Sequence, residues 1–142
     1  MAKKQSFIVN LPKGFDATDQ AEFVDLVLDH IKTRTQNGVG VRRKGRGYQT
    51  FTFPEYTDEY KSFKGSSAVD LTLSGDMLEA LEVIKKTKDT VEIGYKRSNT
   101  QAGKAEGNQL GSYGRTPDRK KARPFLGLTK AERDELENQV RG

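Results

Sequence analysis

Apolar and polar residues follow two different spacings in the N-terminal third of the chain. Residues 6–11, SFIVNL, predict a short strand that Pro12 closes. The next stretch predicts a helix, which Asp16 or Thr18 can cap and which runs to about Asn37. Its apolar residues recur at the spacing of one buried stripe, and they are Phe23, Leu26, Val27, Leu28 and Ile31.

Alternation returns in later stretches, each of which predicts a strand. These stretches are YQTFTF at 48–53, AVDLTL at 68–73 and TVEIGY at 90–95. Before the last of them, GDMLEALEVI at 75–84 has helical spacing and predicts a short helix. This order of elements predicts an α+β fold, in which a small antiparallel sheet packs on the long N-terminal helix.

Two stretches lack such patterning and carry much of the positive charge. Residues 96–123 have almost nothing to bury and carry a net charge of +6. A loop of this length within a compact domain usually has a function or is disordered. Residues 38–47 combine glycines with four cations, which predicts a mobile basic loop. The four cations are Arg42, Arg43, Lys44 and Arg46.

The stretch KKARPFLGLT, at 120–129, brings a basic run directly before an apolar group. Pro124 fixes its own backbone angle φ and favours an extended backbone at Arg123. The stretch is therefore predicted to be an extended arm that carries a group of apolar anchor residues. Two alternatives are open, since the anchor can seal the core of its own domain or dock on a neighbouring chain. The anchor residues are Phe125, Leu126 and Leu128.

A final helix is predicted after this arm. Thr129 and Glu132 form a T-x-x-E capping box, and the helix runs to about Val140. The length of 142 residues fits one domain. Its predicted parts are an N-terminal arm and strand at 1–15, a core helix and sheet at 16–95, a long basic loop at 96–121, and the anchor segment with the C-terminal helix at 122–142.

Composition limits how much of the chain can form a core. Apolar residues make up 33% and charged residues 32% of the chain, and the mean hydropathy is −0.80. Some segments are therefore expected to lie outside the core or to face partners. The net charge of +5 tolerates a nearby polyanion without proving that one binds. With no cysteine, no membrane-length apolar run and no secretory signal, the sequence predicts a soluble protein that is not exported.

Candidate catalytic chemistry is sparse. His30 is the only histidine and lies within the predicted helix, where a surface or partly buried imidazole is the simpler explanation. The chain has no nucleophile elbow, Walker loop or dinucleotide fingerprint. Carboxylate pairs such as Asp16/Asp19 and Asp25/Asp29 also suit an ordinary solvated helix face. We therefore expect no enzymatic activity, no metal site and no cofactor.

Two non-enzymatic functions are considered instead. Tyr48, Phe51 and Phe53 follow RRKGRG and could stack on bases beside a cationic loop, as in a small basic nucleic-acid-binding protein. Alternatively, these aromatic residues form the inner face of a strand, and the protein is a structural subunit whose loops are completed by neighbours. Contact with DNA phosphates, without reading of sequence, is compatible with that second function.

Three motifs in order resemble a known family. LTLSGDMLEAL at 71–81 resembles L-x-x-[ST]-G-x-[ML]-L-x-[SA]-[LI], and VEIGY at 91–95 resembles a V-x-[IV]-G strand. ARPFLGLTKAERDEL at 122–136 then contains [AS]-R-P-F-L-G-[LI] before a terminal helix. This series is similar to the virion-morphogenesis, or tail-completion, proteins of long-tailed bacteriophages. The resemblance covers about residues 53–136.

The resemblance implies a subunit of the virion neck or tail end that helps to attach head to tail. It further implies a homo-oligomeric ring around the DNA channel, with connector, tail-terminator and tail-tube proteins as partners. The location would be the virion, after synthesis in the host cytoplasm, with no membrane involved. Non-specific contact with packaged DNA is a further expectation.

Two groups of residues are candidates for contact with those partners. The first is expected at a partner or oligomer interface and consists of Arg123, Pro124, Phe125, Leu126 and Leu128. The second would face the DNA channel or a partner protein and consists of Arg42, Arg43, Lys44, Arg46, Arg115, Arg119, Lys120 and Lys121.

Overall fold

A computed structural model describes residues 5–53, 78–96 and 124–142. The described chain belongs to the α+β class, with antiparallel strand pairs and two helices. The elements, in order, are β1 Gln5–Asn10, α1 Ala17–Gln36, β2 Val39–Lys44, β3 Gly47–Thr52, β4 Glu82–Lys86, β5 Thr90–Tyr95 and α2 Lys130–Arg141.

Strands β1, β5 and β4 form an antiparallel sheet in that order. Phe7 lies opposite Ile93 and Val9 lies opposite Val91, so these buried side chains share the inner face. The outer face presents the alternate residues, among them Ile8, which lies opposite Glu92. The alternation that predicted β1 and β5 is therefore confirmed.

Helix α1 has the ends that its sequence predicts. Asp16 is the N-cap, and its carboxylate accepts a hydrogen bond of 2.8 Å from the backbone N–H of Asp19. Asn37 is the C-cap, and Gly38 follows it with a φ of 80°. The predicted stripe packs in the core, where Phe23, Val27 and Ile31 are fully buried.

The prediction of a mobile loop at 38–47 is wrong, because this stretch forms most of a β-hairpin. Strand β2 pairs with β3 from Val39 opposite Thr52 to Lys44 opposite Gly47. Gly45 takes the left-handed backbone conformation, with a φ of 60°, in the two-residue turn. Cations on β2 obscured the strand because its outer half is exposed on both faces.

The predicted short helix at 75–84 is wrong in its second half. Leu78 and Glu79 are helical, but Glu82–Lys86 forms β4 and pairs with β5. The spacing of Leu81 and Ile84 fits a helix, whereas β-branched Val83 and Ile84 favour a strand once β5 offers a pairing edge. The first residues of that helix and the predicted strand at 68–73 lie outside the described residues.

The core lies between the three-stranded sheet, α1 and the segment before α2. The capping box of Thr129 and Glu132 is present, and α2 ends close to the predicted Val140. Leu136 of α2 is buried, and Arg133 donates to the backbone oxygen of Asn10 at 3.2 Å. Helix α2 thus docks on its own domain.

No helix among the described residues is long and apolar enough to cross a membrane.

Candidate functional site: the basic hairpin and its groove

The β2–β3 hairpin presents a cluster of exposed cations. Arg42 and Arg43 are neighbours in β2, so their side chains leave on opposite faces. The guanidinium carbon of Arg42 lies 5.1 Å from the ring centroid of Phe51, and that of Arg43 lies 4.9 Å from the ring centroid of Tyr48. Cation–π contact therefore orients both charges. The exposed cations of the hairpin are Arg42, Arg43, Lys44 and Arg46.

A groove of about 390 Å³ separates the hairpin from the three-stranded sheet. The ring of Phe7 meets the ring of Tyr48 edge to face at 6.5 Å, which joins the two walls. Ile8 is 66% exposed, although it is a large apolar residue. The residues that line the groove are Ser6, Phe7, Ile8, Arg43, Arg46, Tyr48 and Glu92.

The sheet wall of the groove carries a fixed carboxylate. The hydroxyl of Ser6 on β1 donates a hydrogen bond of 2.5 Å to Glu92 Oε2 on the neighbouring strand β5. The hairpin wall carries Arg43 and Arg46 instead. The groove therefore has positive charge on one side, a negative charge on the other, and the apolar surface of Ile8 beside them.

The second group of predicted site residues lies in the segment 124–129, before α2. Phe125 is 0% exposed and meets the ring of Tyr95 edge to face at 6.3 Å. Leu126 is buried, and Leu128 packs partly buried against the same core. The backbone N–H of Val41 donates to the backbone oxygen of Pro124 at 3.0 Å. Of the two alternatives, the structure fits an anchor that seals the chain's own core.

Gly127 allows the hairpin to approach this segment closely. A Cβ atom at Gly127 would lie 2.6 Å from the ring of Tyr48 and 2.8 Å from a methyl group of Val41. Any side chain there would push the hairpin outward. The absence of a side chain at Gly127 thus permits the close approach of the cationic strand to the core.

Arg34, near the end of α1, holds the same segment from the other side. Its Nη2 donates to the backbone oxygen of Phe125 at 2.7 Å, and both terminal nitrogens lie 3.3 Å from the backbone oxygen of Gly127. Its Nη1 also donates to Glu132 Oε1 at 3.0 Å. Arg34 is 7% exposed, so the arginine end of this ion pair is buried, while the Glu132 end is part-buried.

Glu132 joins α1 to the start of α2. Its carboxylate accepts hydrogen bonds from Arg34, from the backbone N–H of Thr129 and, at Oε2, from His30 Nε2. Burial by itself would raise the pKa of this carboxyl, but the hydrogen bonds and the positive charge of Arg34 outweigh burial and lower the pKa to about 2. Glu132 therefore remains ionised at pH values well below the pKa of an ordinary glutamate.

Acid should remove the contribution of Glu132 to stability. Because its folded-state pKa of about 2 is below the ordinary 4.5, the folded chain binds fewer protons than the unfolded chain between those values. The contribution, about 3 kcal/mol, is complete above about pH 5 and is lost as the pH falls toward 2. Urea unfolding across this pH range should show the free energies of unfolding of Glu132→Gln and the parent chain converging as the pH falls. A constant difference between the two would contradict the lowered pKa of Glu132.

The structure brings together some predicted site residues and leaves others undescribed. The four hairpin cations share one exposed element. The remaining predicted cations, Arg115, Arg119, Lys120, Lys121 and Arg123, lie outside the described residues. Sequence reasoning missed Arg34, which suited a helix C-terminus, and missed the groove residues Ser6, Ile8 and Glu92. The exposed position of Ile8 opposite a carboxylate was visible only once the strand register was known.

No cation site is apparent in the part of the chain that the structure describes, where no three histidine or carboxylate side chains gather as metal ligands would. His30, the candidate base, is hydrogen-bonded to Glu132 within the ion-pair cluster. This contact gives His30 a structural role, in which it helps to join α1 to α2.

Comparison with protein-family models, with curated proteins and with solved structures finds no match in any of the three.

Proposed function

We propose that the chain is a non-enzymatic structural subunit of a bacteriophage neck or tail end. In this role it forms a ring around the DNA channel and joins the head to the tail. The proposal depends on the resemblance carried by residues 71–81, 91–95 and 122–136. The three-stranded sheet and α1 would form the rigid body of each subunit, and the hairpin would face a partner.

One observation carries most of the support, namely that the residues of the strongest motif act as a single packing unit. Phe125 fills the core, Gly127 admits the hairpin, and Thr129 with Glu132 caps α2. Arg34 binds the carbonyl groups between them. Because these residues depend on one another structurally, their match to the family motif is less expected to arise by chance. The motif resemblance supports the neck function by analogy with the family, and not through a shared fold.

The cationic hairpin gives a second, independent support. Its four cations project from a domain whose other strands are patterned for a core. Because the two arginines are oriented by aromatic rings and are not taken up by the core, they are suited to contact a neighbour. Such a surface fits a subunit that works within an assembly.

Imaging of the purified protein tests the proposal directly. Negative-stain images, with and without tail tubes from the same phage, should show rings or caps at the ends of tubes. Light scattering after gel filtration should give a mass that is a multiple of the 15.9 kDa chain under the conditions that give rings. A protein that stays monomeric and never joins a tube or neck would contradict the proposal.

Binding across a salt series separates this function from that of a small nucleic-acid-binding protein. Weak DNA binding that disappears with added salt fits screening of phosphates by the hairpin. Tight, sequence-dependent binding at physiological salt would favour the nucleic-acid-binding alternative. The aromatic residues Tyr48 and Phe51 already lie under arginines, which leaves their faces less open to bases.

A further inference from the structure

We propose that the groove between β1 and the β2–β3 hairpin binds an extended acidic segment of a partner protein. Carboxylates of that segment would pair with Arg43 and Arg46, and one of its apolar side chains would cover Ile8. The inference deepens the proposed function and rests on it for the identity of the partner, which would be another protein of the neck.

Charge favours a protein segment over a nucleic-acid strand. A phosphate backbone carries negative charge at every step, whereas the groove has a mixed lining, with Arg43 and Arg46 on the hairpin wall and Glu92 and Ile8 on the sheet wall. Glu92 is held in that wall by the hydroxyl of Ser6. A polypeptide can place carboxylates on the arginine side and an apolar side chain over Ile8. The mixed lining therefore matches a polypeptide better than it matches a uniform polyanion.

The arginine geometry favours carboxylates as the paired groups. Arg43 is stacked on Tyr48, and its Nη1 reaches the backbone oxygen of Arg46 at 3.5 Å. A planar guanidinium that is already oriented loses less freedom when it forms a bidentate pair with a carboxylate. Arg43 and Arg46 thus offer two charges on the hairpin side of the groove.

Ile8 gives the groove an apolar contact that a simple ion site would lack. It is exposed on the outer face of β1, between the hairpin wall and Glu92. Three consecutive residues of β1, Ser6 to Ile8, line the groove, so it follows about 7 Å of that strand. About three residues of an extended chain would fit along it.

Fluorescence anisotropy with defined probes tests the proposal. The binding probe is a labelled peptide of about ten residues in which glutamate alternates with valine, and the control peptide has glutamine in place of glutamate. Single-stranded DNA of about 20 nucleotides is the competing probe. All measurements use the full chain at about 150 mM salt, so that loose charge attraction is screened.

Arg42 and Arg43 provide a matched pair of variants. Arg43→Gln should weaken binding of the acidic peptide about fivefold to tenfold, whereas Arg42→Gln, which removes the same charge on the opposite face, should change it less than about twofold. Ile8→Ser should also weaken binding of the acidic peptide and leave DNA binding unchanged. The glutamine peptide should bind much less tightly than the glutamate peptide.

Three results would overturn the proposal: equal losses from Arg42→Gln and Arg43→Gln, equal binding of the two peptides, or DNA that binds more tightly than the acidic peptide and depends on Arg43.

Failure of the neck function would give different results from failure of the groove proposal. If the protein binds the acidic peptide through Arg43 but never forms rings, the groove proposal stands and the neck function is contradicted. If rings form normally but no acidic peptide binds, the neck function stands and the groove proposal is contradicted.

Discussion

Replacing Phe125 with alanine is expected to lower the free energy of unfolding by about 3–5 kcal/mol. The ring is fully buried and contacts Tyr95 edge to face, so its removal leaves a cavity between the sheet and the segment 124–129. Since a domain of this kind is stable by only about 5–15 kcal/mol, this loss is a large fraction of the total stability. Guanidinium unfolding, followed by circular dichroism, measures the loss.

Two further variants make this result interpretable. Phe125→Leu keeps most of the apolar volume and should cost less than about 1.5 kcal/mol, so it remains folded if the alanine variant does not. Ile8→Ala removes exposed apolar atoms and should change stability by less than about 0.5 kcal/mol. If Phe125→Ala instead leaves the monomer stable and prevents assembly, Phe125 belongs to an interface between chains.

The elements that sequence reasoning located correctly are those with local signals. Helix α1 was bounded by a capping carboxylate at Asp16 and by Asn37-Gly38, and both lie within one turn of the end that they specify. Helix α2 was marked by the Thr129–Glu132 box in the same way. Strands β1 and β5 alternate because one face is core, which is also visible within six residues.

The elements that were missed depend on residues far apart in the chain. Strand β2 is strongly cationic in its outer half, and only pairing with β3 and contact with Pro124 make it a strand. Strand β4 has apolar spacing that also suits a helix, so the edge of β5 decides its conformation. The groove combines β1, β5 and the hairpin, and no local pattern brings these three together.

The same limit applies to Arg34 and Glu132, which are 98 positions apart. A basic residue in the last turn of a helix is common, and it needs no partner beyond the helix dipole. A glutamate at the third position of a helix is equally well explained by the capping box. Each residue had a sufficient local explanation, and the ion pair between them could be seen only in the fold.

Replacing Glu132 with glutamine should cost about 3–5 kcal/mol, because it leaves the buried guanidinium of Arg34 without its counter-charge. The side chain of Glu132 is 13% exposed and that of Arg34 is 5% exposed, so water can restore little of the lost interaction. Glutamine retains the size of the side chain and can still accept from the backbone N–H of Thr129. The loss therefore reports mainly on charge. Urea unfolding at neutral pH measures it.

Glu137 offers a matched control on the same helix. It also pairs with two arginines, Arg133 at 3.2 Å and Arg141 at 3.0 Å, but these pairs lie nearer the surface. Glu137→Gln should cost less than about 1 kcal/mol. A double-mutant cycle of Arg34→Met with Glu132→Gln should show a smaller combined loss than the two single losses together, since Arg34→Met removes the stranded charge. Equal effects of Glu132→Gln and Glu137→Gln would mean that α1 and the segment 124–129 are held together by apolar packing, with Phe125 rather than the ion pair as the dominant contact.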